Sequence, residues 1–380
     1  MTTDTPTKSE PLEIFLATVP GLETALQREA HSKGFKNAKS TPGGVTVTGG
    51  WPEVWRANLE LRGTSKVLVR LGSFRVQHLA KLDKRARAFP WGETLSADVP
   101  VRVDVTCKKS RIYHDKAAAE RIEKAIRASL GVEISTEANV CIKARIFDDM
   151  CTISVDTSGE LLHKRGHKEA VNKAPMRENL AALLLMECGF TGGEPVVDPM
   201  CGSGTFVIEA AEMALGLTPG RSRDFAFEQL KTFDAKAWQT MKANSILDDA
   251  TSDVRFFGFD RDSGAIKMST ANAERAGVMG MTAFSRQSIS ELACPEGEAG
   301  LVIINPPYGA RIGDVKKLTS LYSSLGATLA ARFGGWRVGL VTNSRELAKA
   351  TGLRFGKNTT AFSHGGIPVK LYKTQPLPFS

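Results

Sequence analysis

The fold is decided by the stretch Val196-Val197-Asp198-Pro199-Met200-Cys201-Gly202-Ser203-Gly204-Thr205. Two β-branched residues run into an acid, a proline and a glycine-punctuated turn, and Thr205 to Ala214 then continues as an apolar helix. Strand, glycine loop and helix in that order form the opening unit of a nucleotide-binding α/β sheet, because glycine admits φ > 0 and lets a ligand approach the backbone. The loop departs from the dinucleotide pattern G-x-G-x-x-G in the acid at the strand end and the proline after it.

That departure is chemical information. An acid beside the loop repels a pyrophosphate and holds an ammonium group. S-adenosylmethionine carries an ammonium and a sulfonium and no phosphate, so Asp198, Pro199, Cys201, Gly202, Gly204 and Thr205 suit it better than a nicotinamide dinucleotide. The next strand, Val254 to Phe259, ends in Asp260, where a carboxylate can take ribose hydroxyls. Asp260 lies 56 residues after Gly204, against about 20 in the simple fingerprint. The intervening PGRSRDFAFEQL and polar helix read as an insertion, and a surface carboxylate is the alternative reading of Asp260.

A second loop follows the apolar run Leu301-Val302-Ile303-Ile304. Asn305-Pro306-Pro307-Tyr308 reads as a rigid segment at the carboxyl end of a buried parallel strand, where open α/β sheets place ligands. The prolines fix φ and offer carbonyls without N–H groups. Asn305 adds a side-chain acceptor and Tyr308 a flat apolar face. The set suits a planar group bearing an exocyclic NH2, with a proline-stiffened turn around a buried tyrosine as the alternative.

The 380 residues predict two or three domains. No apolar run approaches the ~18 residues of a membrane span, and the polar Met1 to Pro11 is no signal peptide. A frayed tail over residues 1–10 and a cytoplasmic protein are expected. The six cysteines, Cys107, Cys141, Cys151, Cys188, Cys201 and Cys294, show no C-x-x-C pairing and read as free thiols. His163 and His167 have helical metal spacing but no third ligand nearby in sequence, so no metal is expected. The net charge is +9, and Leu61 to Leu130 alone holds sixteen Lys/Arg against seven Asp/Glu. Such an excess favours a polyanion, or else faces solvent in several directions.

Leu12 to Val19 reads as a strand, followed after Pro20-Gly21 by a helix to about Gly34. Two short strands around Gly43-Gly44 complete a small ferredoxin-like unit. Beyond it come a helix at Trp51–Leu61, a strand at Lys66–Phe74 and a basic helix stopped by Pro90. A strand at Val101–Thr106, a basic loop at Cys107–His114, a helix capped near Asp115 and two strands around Asp148-Asp149 follow. A helix from Pro175 buries Leu180, Leu183 and Leu184. Leu318–Phe333 and Trp336–Thr342 extend the second sheet, and His364-Gly365-Gly366 marks a terminal hairpin.

The strings PGLETALQREA, NLELRGTSKVLVRLGSF, AAAERIEKAI and ISVDTSGELLHKRGH, then ENLAA, DPMCGSGT and NPPY, resemble in their order the THUMP-containing guanine-N2 RNA methyltransferases, in particular those acting on bacterial 23S rRNA. The resemblance implies an α/β class I Rossmann-like methyltransferase domain with a terminal hairpin over residues 161–380. It also implies a ferredoxin-like region over 11–60 and a THUMP RNA-binding domain over 61–160. S-adenosyl-L-methionine is the implied cofactor and RNA the implied partner, rRNA first and tRNA as the alternative. Asn305, Pro306, Pro307 and Tyr308 are the implied catalytic set, with Asn305 also beside the cofactor. Arg62, Lys66, Lys108, Lys109, Arg111, Lys164 and Arg165 are the candidate RNA contacts. Relatives commonly carry an aspartate for the adenine amino group where Ser288 stands, and a glutamate where Ala310 stands. Adenine-N6 methylation of DNA and a non-catalytic RNA-binding assembly factor are the remaining alternatives.

Overall fold

Two seven-stranded sheets organise the chain, one in each of two units, in a computed structural model that describes residues 11–169, 175–245, 255–308 and 315–379. The expected tail over residues 1–10, Val254 and Ala310 lie outside the described residues.

The first sheet is built from β1 (Leu12–Ala17), β2 (Lys36–Thr41), β3 (Gly44–Gly49), β4 (Lys66–Arg75), β5 (Val101–Lys108), β6 (Val140–Phe147) and β7 (Met150–Asp156). Their order is β2-β3-β1-β4-β7-β6-β5. Alternation sets its register: Ile14 lies opposite Val47 and Val69, and Leu16 opposite Val45 and Val67, all fully buried. Burial of each such side chain contributes about 1.5–3 kcal/mol. A slip by one residue would turn the whole set outward. The helices of this part of the chain are α1 (Glu23–Ser32), α2 (Trp51–Glu60), α3 (Leu79–Arg87) and α4 (Asp115–Leu130), the last stopped by Gly131 in the left-handed region.

The sheet runs across the expected division at residue 60, because β4 pairs with β1 on one side and β7 on the other. The insertion predicted from PGRSRDFAFEQL also has an unexpected home. Residues 224–243 belong to the first unit, where Phe225, Phe227 and Trp238 are buried. Phe227 stacks on Trp55 at 6.1 Å, and its backbone N–H donates to the Thr157 carbonyl at 3.0 Å. Trp238 comes from α7 (Ala235–Asn244), which follows α5 (Glu178–Glu187) and α6 (Thr205–Ala214) in the chain.

The second sheet has the order β10-β9-β8-β11-β12-β14-β13. Its strands are β8 (Val196–Asp198), β9 (Phe256–Asp260), β10 (Thr282–Arg286), β11 (Leu301–Ile304), β12 (Arg337–Thr342), β13 (Thr360–His364) and β14 (Ile367–Lys373). The chain runs from β8 outward to β10, then returns to β11 on the other side of β8. The five strands β8 to β12 are parallel, and the β13–β14 hairpin adds antiparallel to β12. Its turn is Gly365-Gly366, both at positive φ, as a two-residue hairpin connection requires. The remaining helices are α8 (Ser263–Ala276), α9 (Val315–Arg332) and α10 (Arg345–Ala350). Tyr322, Leu325 and Leu329 of α9 pack with Phe333, Trp336 and Leu340 in the core of this unit. The helix expected from Pro175 starts only at Glu178, with Arg177 as an extended cap.

Three candidate RNA contacts are structural instead. Arg62 is buried, Lys66 pairs with the fully buried Asp156 at 2.6 Å, and Arg165 pairs with Glu209 at 3.2 Å with both side chains almost wholly enclosed. A cation committed to a buried carboxylate is withheld from a phosphate. Removing one partner strands the other charge out of water, so Glu209→Ala is expected to cost about 3–5 kcal/mol, measured by urea denaturation.

Candidate active site

Beside β8 the strand order reverses, and there the sheet opens a cleft of about 1160 Å³ at its carboxyl edge. Asp198 terminates β8 with 3% exposure, and its Oδ1 accepts from the Met200 N–H at 3.1 Å. Loss of water pushes its carboxyl up to about 8, and the charge of Asp260 adds in the same direction. Asp198 has no ion-pair partner among the described residues. Asp260 at the end of β9 is oriented differently: Oδ2 accepts from the Gly202 N–H at 3.1 Å and Oδ1 from the Asp262 N–H at 3.0 Å.

The loop between β8 and α6 takes its shape from two glycines. Gly202 sits at φ +55 with open space where a Cβ would stand. Gly204 sits at φ +81, and a Cβ there would meet that of Ser269 at 2.8 Å. Gly202 therefore presents backbone to the cleft, while Gly204 lets α6 pack. Asp198, Pro199, Cys201, Gly202, Thr205, Asp260 and Ser288 all line the cleft, and Gly204 does not. The Cys201 thiol is held well above its ordinary range by burial and by the two acids, so it is a packing group and no nucleophile.

From β11 come Asn305, Pro306, Pro307 and Tyr308, all on the same cleft. The Asn305 side-chain oxygen is buried without a hydrogen-bond partner among the described residues. A buried acceptor left unmade costs about 1–3 kcal/mol, so it has its use when a donor arrives. The Pro307 carbonyl is braced by the Tyr322 hydroxyl of α9 at 3.3 Å, which also lies 3.3 Å from Thr342 Oγ1. Tyr308 meets Nδ1 of His364 through its hydroxyl at 2.7 Å.

Two residues escaped sequence reasoning. His364 was legible only as a hairpin residue, yet it lines the cleft. Glu291 accepts the Ser288 hydroxyl proton at 2.7 Å, leaving the serine oxygen as an acceptor made more electron-rich by a carboxylate. Of His163 and His167, the spaced pair, only His167 meets a carboxylate, and His163 Nδ1 is buried without a hydrogen-bond partner among the described residues. Burial and the cations Arg177 and Arg165 push His163 down to about 4, and His167 lies 3.7 Å from Glu212. No metal-type cluster of His, Cys, Asp and Glu occurs among the described residues.

The cleft thus combines an unpaired buried acid, a glycine loop, a second oriented carboxylate and an orphaned amide acceptor. This donor set fits S-adenosylmethionine: Asp198 would take the cofactor's ammonium, the Gly202 region its backbone, and Asp260 its ribose. A parallel sheet with this loop and an antiparallel terminal hairpin defines a class I methyltransferase. Residues 165–372 match the family described as the RMKL-like methyltransferase domain, and residues 13–68 match the RlmL ferredoxin-like domain. The chain belongs to the RMKL-like methyltransferase family.

Among curated relatives, Ribosomal RNA large subunit methyltransferase K/L of Psychromonas ingrahamii is 33% identical over 96% of this chain and 50% of its own length. The chain spans about half the length of the curated relatives it matches. Among solved structures, a predicted N6-adenine-specific DNA methylase from Listeria monocytogenes is 27% identical with a TM-score of 0.87, covering 97% of both chains. SMU.472, solved as a complex with SAH, gives the same TM-score at 24% identity over 98% of this chain and 100% of its own.

The Tyr322 brace is testable by itself. Tyr322→Phe leaves the ring and removes the hydroxyl, so an unfolding titration is expected to show a loss of about 1–3 kcal/mol. Unchanged stability would mean that the hydroxyl does not hold the Pro307 carbonyl.

Proposed function

We propose that this chain transfers a methyl group from S-adenosylmethionine to the exocyclic N2 of a guanine in RNA, with 23S rRNA as the substrate. The observation that carries the reading is the buried, unpartnered oxygen of Asn305 on the cleft shared with Asp198 and Asp260. When bound, the cofactor supplies a methyl group activated on sulfur.

The amine of a purine has its lone pair delocalised into the ring and attacks poorly. Hydrogen bonds donated by its two N–H groups to Asn305 Oδ1 and the Pro306 carbonyl favour a pyramidal nitrogen, and they stabilise the positive charge that grows on it. Tyr308 supplies the face on which an extruded base stacks, offsetting an unstacking cost of a few kcal/mol. No strong general base is needed, because the proton leaves after transfer. Orientation of this kind can account for about 7–11 kcal/mol of a barrier.

The first unit is read as the RNA-binding part, with a THUMP domain over about residues 61–160. Lys108 at the end of β5 and Lys109 and Arg111 on the loop after it are exposed, and Lys164 is exposed in the second unit. The curated relatives named for large-subunit rRNA support rRNA as the substrate. The Listeria protein's description favours a second reading, adenine-N6 of DNA. Both purines offer an exocyclic amine to Asn305. Mass spectrometry of nucleosides from rRNA, tRNA and DNA, incubated with the chain and labelled cofactor, separates them. N2-methylguanosine in rRNA is expected, and label in adenine of DNA would overturn the reading.

Asn305→Ala is expected to lower turnover by about 10²–10³ while S-adenosylhomocysteine still binds in calorimetry. Asp198 makes a further prediction. Its folded carboxyl titrates near 8, so the free site holds a proton below that pH. A cationic ammonium selects the ionised form, so binding must release this proton. Affinity for S-adenosylhomocysteine should therefore rise from pH 5 to 7, by up to about tenfold per unit. Asp198→Asn should bind weakly with a flat profile, and an equally steep slope in that variant would remove Asp198 from the role.

A further inference from the structure

Tyr308 and His364 reach each other from separate parts of the second unit, one following β11 and the other ending β13. The Tyr308 hydroxyl and His364 Nδ1 are 2.7 Å apart, while the ring centroids stand 6.5 Å apart with planes inclined at 59°. The contact is an edge hydrogen bond, so the imidazole does not stack over the phenol face.

Burial and the charge of Arg177 hold the imidazole below its ordinary range, and a neutral imidazole carries an N–H on one nitrogen and a lone pair on the other. With the lone pair on Nδ1, the Tyr308 O–H donates to it, and the phenol proton is turned away from anything stacked in the cleft.

We propose that His364 is a positioning residue that fixes the ring of Tyr308 as the platform for the extruded base, so that the carboxy-terminal hairpin completes the site. The inference rests on the function proposed above, in which Tyr308 stacks on the methylated base. A tyrosine without this anchor is free to rotate and to aim its O–H at the base edge. Displacement of a substrate by about 1 Å can cost 10²-fold in rate, so the anchor acts through geometry without touching the reacting atoms.

Nitrogen-15 spectra of the full chain with labelled histidine test the pair without any turnover. The Nε2–H tautomer is expected for His364 at neutral pH, with its Nδ1 resonance moving in Tyr308→Phe. No movement overturns the bond. In methyl-transfer assays His364→Leu should lower kcat about 10–100-fold with S-adenosylhomocysteine affinity unchanged. His364→Asn, whose amide oxygen can accept in place of Nδ1, should recover most of that loss. The double variant Tyr308→Phe/His364→Leu should be no worse than the weaker single variant, since both remove one bond. Wild-type kcat in His364→Leu, or additive losses in the double variant, would overturn the positioning role. Wild-type chain that methylates no RNA would instead overturn the substrate reading, and the spectra would still decide whether the pair exists.

Discussion

Asp198 holds an acid at the end of a strand whose other residues, Val196 and Val197, are fully buried. An ionised carboxylate in such a place is costly unless a cation meets it, and the chain supplies none among its described residues. The strand order tolerates the cost because β8 ends at the switch point, where the flanking connections leave in opposite directions and open the cleft. Everything else in the second unit serves that edge. The loop returns a backbone N–H to each of the two acids, Met200 to Asp198 and Gly202 to Asp260, so both carboxylates are aimed before any ligand arrives.

The same economy of partners shapes the asparagine loop. Two prolines remove the local freedom of the segment, and α9 braces the Pro307 carbonyl through Tyr322. The hairpin then reaches Tyr308 through His364. Among the described residues the side-chain oxygens of Asn305 and Gln287, both on the cleft, are buried without a hydrogen-bond partner. A buried acceptor left unmade is costly, so two on one cleft mark it as a place where donors are received.

How much of this was legible in the sequence depends on the range of the interaction involved. Strand β8, its glycine loop and α6 could be read because the signals are local: an apolar run, positive-φ glycines and a helical repeat. Asn305 to Tyr308 could be read for the same reason. Lys66 and Lys108 look alike in sequence, and only pairing across strands separates them. Lys66 faces Asp156, ninety residues away, and Lys108 faces water. Arg165 is likewise claimed by Glu209 of α6. The division at residue 60 was what the family resemblance implied, and strand pairing carries the sheet through it. The insertion was read with a polar helix, yet its Phe225, Phe227 and Trp238 are buried. Its destination beside Trp55 was not readable.

His364 shows why the last part of a site is the hardest to read. A histidine before Gly-Gly satisfies the needs of a hairpin turn, so its local sequence is already explained by backbone geometry. Its second role exists only because β14 pairs antiparallel with β12, which sets β13 at the sheet edge and turns its last residue toward Tyr308. Topology therefore converts a turn residue into part of the cleft wall. The parallel strands deliver the acids and the asparagine at the carboxyl edge of the sheet, and β13, antiparallel to β14 and so running in the same sense as β12, delivers the histidine at that same edge. The aromatic platform is thereby held from its loop and from its hydroxyl end.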